Sequence, residues 1–276
     1  MFKALAKDRL SQIALIGFIL LTIWWLILNI FPSSDSAKYL FGAIYGSTMS
    51  LYGGLVGIYV SGQWGGNKSV MGKAIIFLSL GLLAQAFGQL ANSAYNVILQ
   101  VETVYPGLAD IGYFGNIPLY TIGIFLLAQA SGAKISLKQL SSKLFALILP
   151  CLLLVATYLL FLQHYEFDWS QPLLILLDFG YPLGQAFYVS IAVLTYILSK
   201  DLLGGMMKRI IFMILAAFVI QYFSDFSFLL TNSQGNYFVG GFVDYLYLLS
   251  YTLMALSIFE LRLAALKIRN SEATPQ

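Results

Sequence analysis

Charge, histidine and cysteine are what this sequence is short of. Only 10% of its 276 residues are Asp, Glu, Lys or Arg, against about 25% in an ordinary soluble domain. With 59% hydrophobic residues alongside, that is the composition of an integral membrane protein. The one cysteine, Cys151, excludes an internal disulfide and any cysteine-built metal cluster. The one histidine, His164, excludes a haem held by two histidines of one chain and leaves no Ser/His/Asp constellation to assemble. A phosphate-binding glycine loop, zinc-ligand spacing and a nucleophile elbow are also missing. No lysine falls inside an apolar run, where it could hold a retinal Schiff base, and no basic groove with interleaved aromatics points to nucleic acid. The expectation is a protein without enzymatic activity of its own, and nothing in the sequence names a cofactor.

What is present is long apolar runs. A membrane helix needs roughly 20 mostly apolar residues, and eight such runs are legible: Ile13–Phe31, Tyr39–Ser61, Ala74–Tyr95, Ile111–Ser131, Leu144–Leu162, Leu173–Leu198, Ile210–Leu230 and Phe242–Leu263. The first is long enough to span and no small-residue cleavage site follows it, so no removable signal peptide is expected. With the N-terminus cytoplasmic, 14 of the 15 basic residues fall in inner segments, and only Lys38 lies outside. That bias is the positive-inside rule. It predicts an all-α protein with eight transmembrane helices and both termini cytoplasmic, as a multi-pass protein of the cell's inner membrane. The lipid bilayer is its first partner. Residues 270–276 read as a disordered tail.

The third and seventh spans begin alike, "AIIFLSLGLLAQAFGQLANSAYN" beside "RIIFMILAAFVIQYFSDFSFLLTN". After one insertion Gln85 matches Gln221, Gln89 matches Asp225 and Asn96 matches Asn232. The fourth and eighth continue the match, with Asp110 beside Asp244 and Tyr113 beside Tyr247. The second and sixth share a small-residue spacing, Gly53/Gly57 against Gly180/Gly184. Two parallel four-helix repeats, about 10–132 and 140–265 within a single domain 1–269, account for this; an even number of spans gives both one orientation. Pro118, Pro150 and Pro182 lie inside spans and are expected to kink them.

Polar side chains gather on one side of the membrane. Gln85, Gln89, Asn92 and Asn96 follow the spacing of one helical face, and Gln221, Asp225 and Asn232 repeat it. Asp110 and Asp244 open the fourth and eighth spans, and Asp178 lies several residues into the sixth. Apart from Glu260, the carboxylates in or beside the spans are read as lying in the outer half. Acids in lipid usually face a bundle interior or a wet cavity. An outward-opening vestibule lined by Asp178, Asp225, Gln89, Asn92 and Tyr181, with Gln221, Asp110 and Asp244 nearby, would attract a cation, an amine or a proton. Two blander readings stand beside it: Asp110 and Asp244 are placed to cap their helices, and the Gln/Asn stripe can act as interhelical glue. His164, in an outer loop, could sense pH or be a surface residue without a role.

The pieces "YPGLADIGYFGNIPLY", "LDFGYPLGQAFYVSIAVLTYIL" and "GGFVDYLYLLSYTLMALSIFELR" resemble the polytopic sensory-input regions that precede bacterial diguanylate cyclase, phosphodiesterase and histidine kinase domains. Pro106, Leu108, Ala109, Asp110, Tyr113 and Pro118 match one motif of that pattern. Leu177, Asp178, Tyr181, Pro182 and Leu183 match a second. The resemblance covers about Ala74 to Arg262 and implies ligand sensing, with Asp225 and Asp244 at the acids of the last two helices. The family continues into a cytoplasmic output domain, whereas this sequence stops at Gln276. A free-standing sensor acting through a separate output protein or a homodimer, and an excised input domain, are both compatible with that. A small transporter or channel, and a scaffold subunit of a membrane complex, are the rival expectations.

Overall fold

The computed structural model describes residues 8–101, 104–131, 148, 151–156, 158–159, 163, 167–198 and 206–272. Among them are seven long α-helices and no strand: α1 (Arg9–Ile30), α2 (Asp35–Gln63), α3 (Val70–Ser93, continued by a π-helical turn, Ala94–Leu99), α4 (Leu108–Ala130), α5 (Pro172–Leu198), α6 (Met206–Ser233) and α7 (Phe242–Glu272). Six of these, all but α2, are long and apolar enough to cross a membrane. Glycine, serine and tyrosine dilute the apolar content of α2, which is nonetheless 29 residues long. The expected fifth span, Leu144–Leu162, lies largely outside the described residues, as do Pro150 and His164. α7 runs on to Glu272, past residue 270 where the tail was expected to begin.

Local chemistry starts the first three helices. The Asp8 carboxylate accepts the Ser11 N–H (3.0 Å) to open α1. Ser34 does the same for Ala37 at α2, and Ser69 for Gly72 at α3 (2.8 Å). These are N-caps, which satisfy donors that the first helical turn leaves free.

The helices α2, α3, α4, α5, α6 and α7 pack in that order and close on themselves through α7 and α2, with α1 outside against α7 and α2. Directions follow from which residues meet. Beta carbons built on Gly42 and Gly53 of α2 would touch Val239, just before α7, and Ala255 within it, so α2 and α7 run parallel. Tyr181 bonds Asp110, Gly184 faces Ile117, and Tyr188 meets Tyr120, so α4 and α5 also run parallel. α1 is antiparallel to α7. At one end Trp25 Nε1 donates to the Gly241 carbonyl (3.0 Å) and Asn29 Nδ2 to that of Gly240 (2.9 Å); at the other Arg262 forms an ion pair with Asp8. Asp8 thus stands at the basic end of the bundle, an exception to the expected confinement of acids to the outer half.

The core is aromatic and aliphatic: Tyr188, Tyr251, Phe41, Phe218 and Phe259 are all but fully buried. α1 turns Ile13, Ile16, Ile19, Leu20 and Ile23 outward, where lipid rather than water suits them. α3 and α4 approach most closely at glycine. A beta carbon on Gly112 would lie 2.5 Å from the Gly88 nitrogen and against the Ala84 carbonyl, so only glycine lets these backbones meet.

Candidate functional site

The acids that open helices are caps and more. Asp110 sits in the first turn of α4, where one carboxylate oxygen accepts the Gly107 N–H (2.7 Å) and the other the Tyr181 hydroxyl from α5 (2.7 Å). Asp244 repeats this at α7, accepting the Gly240 N–H (2.6 Å) and the Tyr237 hydroxyl (3.1 Å). Tyr45, from α2, also bonds Asp244. The turn needs glycine at 240, whose φ is +81°, because that left-handed backbone disfavours a side chain. Each first-turn acid is therefore held by its own backbone and by a tyrosine from the parallel neighbouring helix. Tyr237, in the loop before α7, has its hydroxyl pushed up in pKa by burial and by the Asp244 charge.

Asp225 is different. It lies within α6, clear of any helix end, and joins three helices. One carboxylate oxygen accepts Gln185 Nε2 from α5 and Gln221 Nε2 from its own helix (3.0 Å); the other accepts the Tyr247 hydroxyl from α7 (2.6 Å). Gln221 in turn accepts from Ser250 of α7 (3.1 Å), whose hydroxyl also reaches the Ala217 carbonyl (3.0 Å). No Lys or Arg pairs with Asp225 among the described residues. Its donors are neutral, and the titratable side chains within electrostatic reach of it are the phenols Tyr113, Tyr181, Tyr188, Tyr247 and Tyr251. Beside it a cavity of about 10 Å³, lined by Tyr181, Pro182, Gln185, Tyr222, Asp225 and Phe226, separates α5 from α6. That is room for about one water molecule.

The remaining expected site residues lie apart from Asp225. Gln89 and Gln85, both buried on α3, share Tyr251 of α7: its hydroxyl donates to Gln85 Oε1 (3.2 Å) and is also hydrogen-bonded with Gln89. Gln89 fills the space above Gly46 of α2. Asn92 accepts from Asn96 one turn along its own helix (3.4 Å). Asp178 accepts the Tyr105 hydroxyl (2.6 Å) at an exposed position. The single vestibule expected from the sequence is thus two polar nodes, one on α6 and one on α3. They are bridged by Tyr247 and Tyr251 of α7, whose rings stack 6.1 Å apart.

Sequence reasoning named Tyr181 but missed Gln185 and the donors Tyr45, Tyr237 and Tyr247. Gln185 follows Asp178 and Tyr181 at i+7 and i+4 on α5, a face-sharing spacing that could have found it. A scan against protein-family models finds no match for the chain, and searches of curated proteins and of solved structures find none either.

Proposed function

We propose that this chain is a membrane sensor module that binds a proton or a small dehydrated cation at Asp225 and signals through the far end of α7. The observation that carries the reading is the Asp225 carboxylate, tied by neutral donors to α5, α6 and α7 and without a basic partner among the described residues. An acid inside a bundle without a counter-charge is costly; taking up a proton or a cation removes that cost and weakens or re-aims the three bonds. The neighbouring cavity, near 10 Å³, suits an ion or a water and is too small for an amine ligand in this packing. Among the described residues the titratable groups facing the site are phenols, namely Tyr181 and Tyr188 of α5, Tyr113 of α4, and Tyr247 and Tyr251 of α7. The nearest basic residues on α6 and α7, Arg209 and Arg262, lie about 20 Å or more along their helices at 1.5 Å per residue.

α7 is suited to carry the output. Its 31 residues extend about 46 Å, more than the roughly 30 Å of hydrocarbon, so a shift at Tyr247 reaches past the membrane. Closure below the site favours sensing over transport: Met207, Ile210, Ile211, Ile214 and Phe218 of α6 and Ile258, Phe259 and Leu261 of α7 are fully packed. In this proposal the molecule keeps eight spans and two parallel repeats. The parallel run of α4 and α5 fits one further crossing between them. A spacing of 136 positions separates both Tyr45 from Tyr181 and Gln85 from Gln221, and both tyrosines bind a first-turn acid. That pairing replaces the glycine match between α2 and α5. The resemblance to sensory-input regions agrees with the same reading, with a separate output protein or a second copy as the receiver.

The test uses the full chain in nanodiscs, with spin labels at Gly62 and Asn270 on a Cys151→Ser background. The distance between them is expected to change between pH 8 and pH 5, or on adding sodium, and to stay fixed in Asp225→Asn. An unchanged distance in the unsubstituted site under both conditions overturns the sensor. Proton or sodium flux across vesicles would make the protein a transporter instead.

A further inference from the structure

A second built feature lies at the opposite, basic end of the bundle. A groove of about 520 Å³ runs between α1, α2 and α7, lined by Arg9, Leu10, Leu55, Val56, Tyr59 and Arg262. Its walls are pinned to one another. The Tyr52 hydroxyl donates to the Leu10 carbonyl (2.9 Å), Trp64 Nε1 to the Leu261 carbonyl (3.0 Å), and Arg262 pairs with Asp8. The three helices therefore hold the groove's shape without an occupant.

Its chemistry changes with depth. α2 runs toward the basic end, so Leu55 lies one turn, about 6 Å, deeper in the membrane than Tyr59. The deep part is apolar, and Leu55 and Tyr59 are 57% and 62% exposed. The rim carries two guanidinium groups. Arg262 commits Nη1 to Asp8, while its buried Nε has no hydrogen-bond partner among the described residues; Arg9 is exposed. Two positive groups against one carboxylate leave the rim with a net charge of +1. An anionic head above an apolar tail is the complement of that order.

We propose that this groove binds an anionic phospholipid, its phosphate against Arg9 and Arg262 and an acyl chain along Leu55 and Val56. Guanidinium is suited to phosphate because its planar fork donates two parallel hydrogen bonds, and basic pockets between membrane helices commonly hold acidic head groups. Because Arg262 stands on α7, the lipid touches the same helix that leads away from Asp225, yet its binding does not depend on that site being a sensor. Asp8 competes with the phosphate for Arg262, so its neutralisation strengthens lipid binding.

Native mass spectrometry on the full chain tests this, comparing phosphatidylglycerol with phosphatidylcholine of identical acyl chains and with inorganic phosphate as competitor. Phosphatidylglycerol is expected to be retained about tenfold better, a factor equal to 1.4 kcal/mol. Arg9→Gln and the paired Asp8→Asn/Arg262→Gln variant should erase that preference, and Asp8→Asn alone should raise it. Leu55→Asn supplies an independent arm: it leaves both arginines in place and should weaken both lipids. Equal retention of the two lipids overturns the proposal, as does a preference that survives both arginine variants. Displacement of the lipid by millimolar inorganic phosphate would show a soluble-anion site and overturn the lipid assignment.

Discussion

Two adjacent helix pairs of this molecule start from similar sequence and are joined by different means. α3 and α4 meet backbone to backbone: Gly112 lies against Gly88 and Ala84, Gly81 against the Tyr120 ring, and Gly123 against Leu78. α6 and α7 contain no glycine. They are joined instead by side-chain bonds, from Ser250 to Ala217 and Gln221 and from Tyr247 to Asp225. Where the first pair carries the neutral amide Gln89, the second carries the acid Asp225. Close glycine packing allows few alternative arrangements, whereas polar bonds to an ionisable group can be broken and remade by one proton. In the proposed reading, that difference assigns the response to the α6–α7 pair rather than to α3–α4.

The largest effect should come from removing the acid itself. Asp225→Leu leaves Gln185, Gln221 and Tyr247 without their acceptor, each loss being worth about 1–3 kcal/mol, so a total of about 3 kcal/mol or more is expected in a detergent unfolding titration. Asp225→Asn keeps one acceptor oxygen and should cost about half as much. If Leu is tolerated as well as Asn, the three bonds seen at Asp225 do not hold α5, α6 and α7 together.

Converting one pair toward the other comes next. Gln89→Asp places an acid on α3 where Tyr251 of α7 stands in the role of Tyr247, with no counterpart shown there to Gln185, the donor that α5 gives Asp225. A loss of about 2 kcal/mol at neutral pH is expected, since a buried polar group short of partners costs roughly 1–3 kcal/mol. An unperturbed unfolding midpoint would mean that the α3 node accepts charge as readily as the α6 node, and the contrast between the halves would fall.

The packing contrast has its own test. Gly112→Ala must push apart two backbones, and overpacking of this kind costs about 1–3 kcal/mol. Ser250→Ala removes a hydroxyl that bridges α6 and α7 and should cost about 1 kcal/mol. Disulfide trapping between the helix pairs should find Gly112→Ala widening α3–α4 and Ser250→Ala loosening α6–α7 without displacing it.

Much of this was legible in the sequence, for identifiable reasons. Apolar length and the sorting of basic residues marked out the helices, because lipid penalises exposed backbone and charge in every span alike. The register of Gln85, Gln89, Gln221 and Asp225 was legible because those residues share helical faces. Their partners were not. Tyr45, Tyr181 and Tyr247 are three of 18 tyrosines, and each has its role only because α2 lies beside α7, α5 beside α4 and α6 beside α7. The first two are neighbours distant in sequence, and no local pattern records such pairing. Asn92 was expected in the vestibule from its spacing alone, yet it bonds with Asn96 along its own helix.

The smallest effect lies away from both pairs, in the loop before α5, and serves as a reference for them. Asp168 is exposed, and its carboxylate accepts the Ser170 hydroxyl (2.6 Å), the Ser170 N–H (3.0 Å) and Gln171 Nε2 (2.9 Å). Those donors, the Ser170 hydroxyl first, hold its pKa below the ordinary aspartate value. A depressed folded pKa stabilises the loop above the unfolded value, near 3.9, and the contribution disappears as pH falls through the folded pKa. Carbon NMR of labelled aspartate should therefore find Asp168 titrating below that value, and Ser170→Ala should bring it back toward ordinary behaviour. A response of α7 between pH 8 and pH 5 cannot then originate at Asp168, which stays ionised throughout that window. If Asp168 instead titrates within it, a pH response no longer singles out Asp225, and the sodium arm of the distance measurement has to carry the distinction.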